Sequence, residues 1–179
     1  WHPYPTSRRI VSWCRNRIRD PESLRSLYRQ LAYLERNLES HVYGNHLLEN
    51  ARALVVGGAC FRRDPRGERW LERGLSILRR ERSEQILADG CHFERSPMYH
   101  ALVLEGYLDA LNVLRSGHAA SRWLTETART LAEALGAMLH PDGRLALFND
   151  STLEIAPDPE DLFDYARTLV GDAMESPSH

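Results

Sequence analysis

The sequence predicts an all-α protein. Apolar residues recur at helical spacing almost throughout, and sustained period-two alternation is nearly absent. Proline and Ser/Thr residues stand where helices would open. The intervening connections are short, which makes antiparallel helical hairpins the natural packing. At most one short strand is expected, near the C-terminus.

The elements follow in order. The spacing predicts a first helix from Ser7 to Arg19, capped by Thr6 or Ser7, with Ile10, Val11, Cys14 and Ile18 on one stripe. Pro21 opens a second helix with Leu24, Leu27, Tyr28, Leu31, Leu34 and Leu38 on its apolar face. A third follows Gly44, carrying Leu47, Leu48, Ala51, Leu54 and Val55 and ending before Gly57-Gly58. Arg62 to Gly67 reads as a turn. A fourth helix covers Glu68 to Leu87, with Trp70, Leu71, Leu75, Leu78 and Ile86 inward. Ser96 caps a fifth, with Pro97 first; it runs to Arg115, and Ser116-Gly117 ends it. A sixth spans Ser121 to Leu139. Pro141-Asp142-Gly143 turns the chain into Arg144–Phe148, a candidate strand. Pro159 starts a last helix that fades near Gly171, followed by a frayed tail. A bundle, a solenoid and an arc of a closed toroid all satisfy this pattern.

Composition narrows the chemistry. The 179 residues are 42% hydrophobic and 27% charged, enough to bury a core. All 23 basic residues are arginine, which removes lysine Schiff-base chemistry, lysine-anchored pyridoxal phosphate and the P-loop lysine. A net charge of −2 and acidic residues interleaved with the arginines argue against nucleic acid as a partner. No apolar run is long enough for a membrane span. Cys14, Cys60 and Cys91 form no paired motif and read as buried free thiols, though one bridge stays open. The opening Trp1-His2-Pro3-Tyr4-Pro5 has no basic-then-apolar leader pattern.

Polar residues concentrate in two places. In Tyr43-Gly44-Asn45-His46-Leu47-Leu48-Glu49-Asn50, the residues His46, Glu49 and Asn50 share one helical face. Asn45 lies beside them near a helix N-terminus, where backbone N–H groups favour an anion. The second concentration, His92-Phe93-Glu94-Arg95-Ser96-Pro97-Met98-Tyr99-His100, places two imidazoles, a carboxylate, a guanidinium and a phenol around one helix start. Plain structure also explains each cluster: Asn45 as a cap, His46 at an interface, Tyr99 as packing with a wet hydroxyl. Together they supply a base, an acid and groups that bind a carboxylate. A metal site built on His46 and Glu49 with His41, His92 or His100 is disfavoured, since no zinc spacing is matched. No nucleophile-elbow signature is present. No cofactor is expected.

Four stretches resemble the helical region of heparinase II/III-like polysaccharide lyases: HPYPTSRRIVSW, GNHLLENARAL, DGCHFERSPMYH and HPDGRLALFNDS. They occur in family order over about residues 2 to 151, and the middle two are the more specific. The resemblance implies part of an α/α toroid occupying the whole chain, 1–179, with a β-sandwich domain of the same polypeptide expected beyond it. The implied reaction is β-elimination at a uronic acid of an acidic polysaccharide. Tyr99 matches the catalytic tyrosine, and His46 the histidine that serves as base or carboxylate partner. Asn45 and Glu49 match positions that hold or neutralise the carboxylate. His92, Glu94 and Arg95 are expected substrate contacts, and a periplasmic or secreted bacterial setting is implied. Two other readings stay open: an acidic-glycan-binding domain without catalysis, and a glycoside hydrolase on a related toroid.

Overall fold

The computed structural model describes residues 1–42 and 44–171; Tyr43 and the tail expected to fray, 172–179, lie outside the described residues. Among the described residues there are seven helices and no sheet. The chain divides into two compact units, one over Trp1–Arg80 and one from Glu81 on.

The first unit holds α1 (Pro3–Arg15), α2 (Pro21–Leu34), α3 (Asn45–Cys60) and most of α4 (Pro65–Gln85). Helix α1 starts four residues before the expected Ser7. Pro3 and Pro5 fit a first turn because their missing N–H groups are orphans there anyway, and Thr6 Oγ1 donates to the His2 carbonyl at 2.7 Å. It stops at Arg15 rather than Arg19, with Arg17 at φ 50°. Helix α2 opens as expected at Pro21; Asp20 caps it, accepting from the Ser23 N–H at 2.8 Å.

Helix α3 departs most from the sequence reading, continuing through Gly57-Gly58 to Cys60. The reason is tertiary. A Cβ at Gly57 would lie 2.5 Å from Leu31 Cδ2, and one at Gly58 would lie 2.6 Å from the Gly67 carbonyl oxygen. These glycines let neighbouring helices approach, and that packing outweighs their low helix propensity. Helix α3 is accordingly buried from Leu47 to Gly58. The expected turn at Arg62–Gly67 is shorter, because α4 begins at Pro65 with Asp64 accepting from the Arg66 N–H at 2.8 Å. Hairpin directions alternate: Gly74 meets Ala51 and Gly58 meets Leu71, so α3 and α4 run antiparallel. Tyr28, Phe61 and the fully buried Trp70 form an edge-to-face cluster against which Arg66 lies.

The second unit begins with the end of α4. A single antiparallel bridge, Ile86 to His92, closes the loop that carries Asp89-Gly90, with Gly90 at φ 82°. Helix α5 (Pro97–Asn112) opens as expected at Pro97 and packs antiparallel to α6 (Ser121–Gly136), which His100 and Tyr107 reach at Leu131 and Trp123. Both helices stop three residues before the expected ends. The candidate strand Arg144–Phe148 makes only one bridge, Leu139 to Leu145, so it is a turn-closing contact and not a strand of a sheet. Helix α7 (Pro159–Val170) is capped by Asp158, and Tyr165 ties it to α5 through Asp109 at 3.1 Å. None of the three cysteines forms a disulfide, but they are not buried as expected: Cys60 is exposed, Cys14 and Cys91 half-buried.

Candidate active site

The first polar cluster is assembled at the start of α3. Gly44, at φ 112°, precedes the helix, and no side chain caps it. Asn45 is therefore the first helical residue rather than the cap, and it is buried at the end where backbone N–H groups are presented. His46 follows, half-buried. Its Nδ1 lies 3.1 Å from Glu39 Oε1, and its ring stacks on Tyr4 with centroids 4.5 Å apart. A carboxylate accepts, so Nδ1 carries the proton. Nε2 is then the nitrogen that can meet a ligand, as acceptor in the neutral ring and as donor in the imidazolium.

Glu39 is itself held by Asn50. The Asn50 Nδ2 donates to Glu39 Oε2 at 3.0 Å and to Ser7 Oγ at 3.2 Å, and its Oδ1 accepts the Glu39 backbone N–H at 2.9 Å. Asn50 and Ser7 are fully buried and Glu39 nearly so, which fixes the geometry around His46. On the same face, Glu49 accepts from the buried Arg52 at 3.1 Å and pairs with Arg8 at 3.8 Å. His46, Glu49 and Asn50 thus share a face as their spacing implied.

The second cluster surrounds the start of α5. Ser96 caps the helix and accepts the Tyr99 N–H at 3.3 Å, which sets Tyr99 in the first turn with its side chain half-buried. Ser151 reinforces the cap: its Oγ lies 2.9 Å from Ser96 Oγ and accepts the Met98 N–H at 3.2 Å. Asn149 donates to the Arg95 carbonyl at 3.1 Å. Arg95 is exposed and sits at φ 52°, a conformation that costs a non-glycine residue and persists only where the surroundings fix it.

His92 and His100 lie behind this surface. Gln85 Nε2 donates to Glu81 Oε2 at 2.7 Å, which turns the Gln85 Oε1 toward His92 Nε2 at 2.9 Å. His92 therefore donates from Nε2, and its Nδ1 faces Glu94 Oε2 at 3.6 Å, beyond hydrogen-bonding distance. Burial pushes the His92 imidazole down to about 4, with His100 adding to the shift. His100 accepts the His92 N–H at Nδ1 and donates from Nε2 to the Leu131 carbonyl at 2.7 Å; burial lowers it too. His92 is fully buried, so it fits holding the loop better than touching a sugar; Glu94 is half-buried and Arg95 exposed.

Sequence reasoning missed Glu39, Ser7, Tyr4, Arg8 and Arg52 around the first cluster. Asn149 and Ser151, which hold the second cluster, both lie in the HPDGRLALFNDS stretch. Among the described residues, no group of three or more His, Cys, Asp or Glu side chains converges as a metal site requires.

The helical fold is that of a known class. The chain belongs to the heparinase II/III family, whose N-terminal model, described as heparinase II/III N-terminus, matches residues 22–165. Two curated relatives are both named heparin-sulfate lyase. The protein from Pedobacter heparinus is 29% identical over 133 residues, covering 73% of this chain and 20% of the relative. The one from Bacteroides thetaiotaomicron is 30% identical over 118 residues, covering 60% of this chain and 17% of the relative. A crystal structure of heparinase III superposes over 97% of this chain and 29% of its own, with a TM-score of 0.78 and 23% identity. The heparan sulfate lyase HepC from Pedobacter heparinus superposes over 100% and 32%, with a TM-score of 0.66 and 23% identity. The expected helical architecture is thus that of heparinase III. The chain spans about a fifth of the length of its curated relatives.

Proposed function

We propose that this chain is the toroid portion of a longer bacterial polysaccharide lyase that cleaves a uronic-acid-containing acidic polysaccharide by β-elimination. The difficulty of that reaction lies at C5 of the uronate, whose proton is weakly acidic while the adjacent carboxylate keeps its charge. Hydrogen bonds and positive charge at the carboxylate stabilise the enolate-like intermediate. A base then removes the C5 proton, and an acid protonates the departing glycosidic oxygen.

The residues divide accordingly. Tyr99 is the base and then the acid, a double role open to one phenol in a syn elimination. Arg95, directly before the Ser96 cap, binds the sugar carboxylate. His46 and Asn45 neutralise the carboxylate, His46 through Nε2 and Asn45 at the N–H-rich start of α3. Glu49 acts through the arginines it holds, Arg52 and Arg8. Glu94 is a substrate contact, and His92 positions the loop that carries it.

One observation supports this reading most: the buried Glu39–Asn50–Ser7 network fixes the proton on His46 Nδ1 and leaves Nε2 for a ligand, where a merely packed histidine needs no such support. A periplasmic or secreted location goes with the proposal.

The test is ultraviolet absorbance of unsaturated uronate when the complete gene product meets heparan sulfate, heparin, hyaluronan, alginate or glucuronan. The parent should produce it from at least one substrate. Tyr99→Phe should lose at least about a hundredfold in kcat with KM little changed, as removal of an acid–base group does. Full turnover by Tyr99→Phe rules out its assigned role. Binding of acidic glycan without any product makes the protein a binding module.

A further inference from the structure

A groove of about 430 Å³ lies wholly within the first unit, between the end of α2, the α2–α3 connection and α4. It adjoins the candidate site along the chain: Ser40, on its rim, follows Glu39, and Leu47, on its floor, follows His46. Its volume falls in the range of small-molecule clefts, roughly 300–1,000 Å³.

Its chemistry is specific. Three exposed guanidiniums line it, Arg36 from the α2–α3 connection and Arg73 and Arg80 from one face of α4. The α4 pair are seven residues apart, two turns along the same side. The lining contains one carboxylate, Glu35; Arg66 outside the groove donates to it at 3.0 Å, and Arg73 adds an attraction of its own. The groove therefore carries more positive than negative side chains, in a chain whose net charge is −2. Leu47 and Ile77, both buried, give it an apolar floor, and the hydroxyls of Ser40 and Ser76 stand at its sides. A floor of aliphatic carbon under hydroxyls and guanidiniums suits a sugar ring bearing anionic substituents. The ring's C–H face lies on the floor, its hydroxyls meet the serines, and carboxylate or sulfate meets arginine.

We propose that this groove is an anionic-sugar subsite that holds a sulfate- or carboxylate-bearing residue next to the uronate engaged at His46. Its position relative to the reacting sugar rests on the lyase reading above; its affinity for acidic sugar does not. The guanidiniums act on binding and not on the reacting bond, so they govern KM and the salt dependence of affinity.

The experiment uses the double variant Arg36→Gln/Arg73→Gln, which leaves the Glu35–Arg66 pair and all of the candidate catalytic residues in place. Its helical content is checked against the parent by circular dichroism. Titration calorimetry then measures binding of sulfated heparan oligosaccharide, unsulfated glucuronate oligosaccharide and inorganic sulfate. We expect the variant to bind at least one acidic oligosaccharide about tenfold more weakly, with a shallower salt dependence. Whichever oligosaccharide loses more identifies the substituent that the groove reads. In turnover assays KM rises by a similar factor while kcat holds. Unchanged affinity in a folded variant overturns the subsite, even if the lyase reading stands. Groove-dependent binding without any elimination product keeps the subsite and removes the lyase reading. Binding of inorganic sulfate alone, with no oligosaccharide effect, also overturns it.

Discussion

Acidification should unfold this protein partly through one imidazole. His92 is fully buried, with Nε2 donating to Gln85 at 2.9 Å and its backbone N–H donating to His100. Burial holds it down to about 4, against 6.5 in the unfolded chain. Above about pH 6.5 both states are neutral and His92 contributes no pH dependence. As pH falls from 6.5 toward 4, the unfolded chain takes up a proton that the folded protein refuses, so stability drops. The linkage relation puts the loss at about 2 kcal/mol by pH 5 and about 3 kcal/mol by pH 4. His100, lowered by burial as well, pushes in the same direction. The assay is urea unfolding of the parent and of His92→Asn across this range. Subtracting the two curves cancels the carboxylates common to both. The parent should lose about 3 kcal/mol more than the variant between pH 7 and pH 4. Parallel pH profiles would refute the argument and mean that His92 is solvated or charged in the folded state.

Other perturbations probe the packing and the support of the site. Asn50→Leu strands the Glu39 backbone N–H and Oε2 in the interior and should cost about 2–3 kcal/mol by urea midpoint; a loss under about 0.5 kcal/mol means that the network is solvated. Gly74→Ala would place Cβ 2.6 Å from the Ala51 carbonyl oxygen and 2.9 Å from the Val55 nitrogen, both rigid backbone atoms. It should destabilise by about 2 kcal/mol or more in thermal unfolding, and a neutral result means that α3 and α4 are further apart. Among the thiols, Cys60 is exposed and lowered by the Cys14 hydrogen bond and by Arg62, while Cys14 and Cys91 are raised. Iodoacetamide at neutral pH should therefore modify Cys60 first, read by peptide mass; preferential labelling of Cys91 contradicts that order.

Much of the fold is legible because it is written locally. Pro21 and the Ser96-Pro97 pair open α2 and α5 where they stand, and the leucine stripe of α2 buries Leu27, Leu31 and Leu34 as its spacing implies. The errors arise where distant contacts decide. Gly57-Gly58 look like a helix stop until Leu31 and Gly67 are known to press against them. Arg144–Phe148 follows a turn as a short strand would but finds a single bridging residue, so no ladder forms. Both candidate polar clusters are visible as local motifs. Their supports are not: Glu39 lies seven residues before His46 across a connection with no motif, and Ser7 is 43 residues from Asn50. Ser151, 55 residues from Ser96, is as distant. The HPDGRLALFNDS stretch was the one available pointer to it.

The most direct test of elimination is the mass balance of its products. A defined acidic oligosaccharide is digested to completion by the complete gene product, and the fragments are weighed by mass spectrometry. Elimination cleaves without adding water, so the two fragment masses should sum to that of the substrate. Fragments that together exceed the substrate by one water would show hydrolysis and contradict the account.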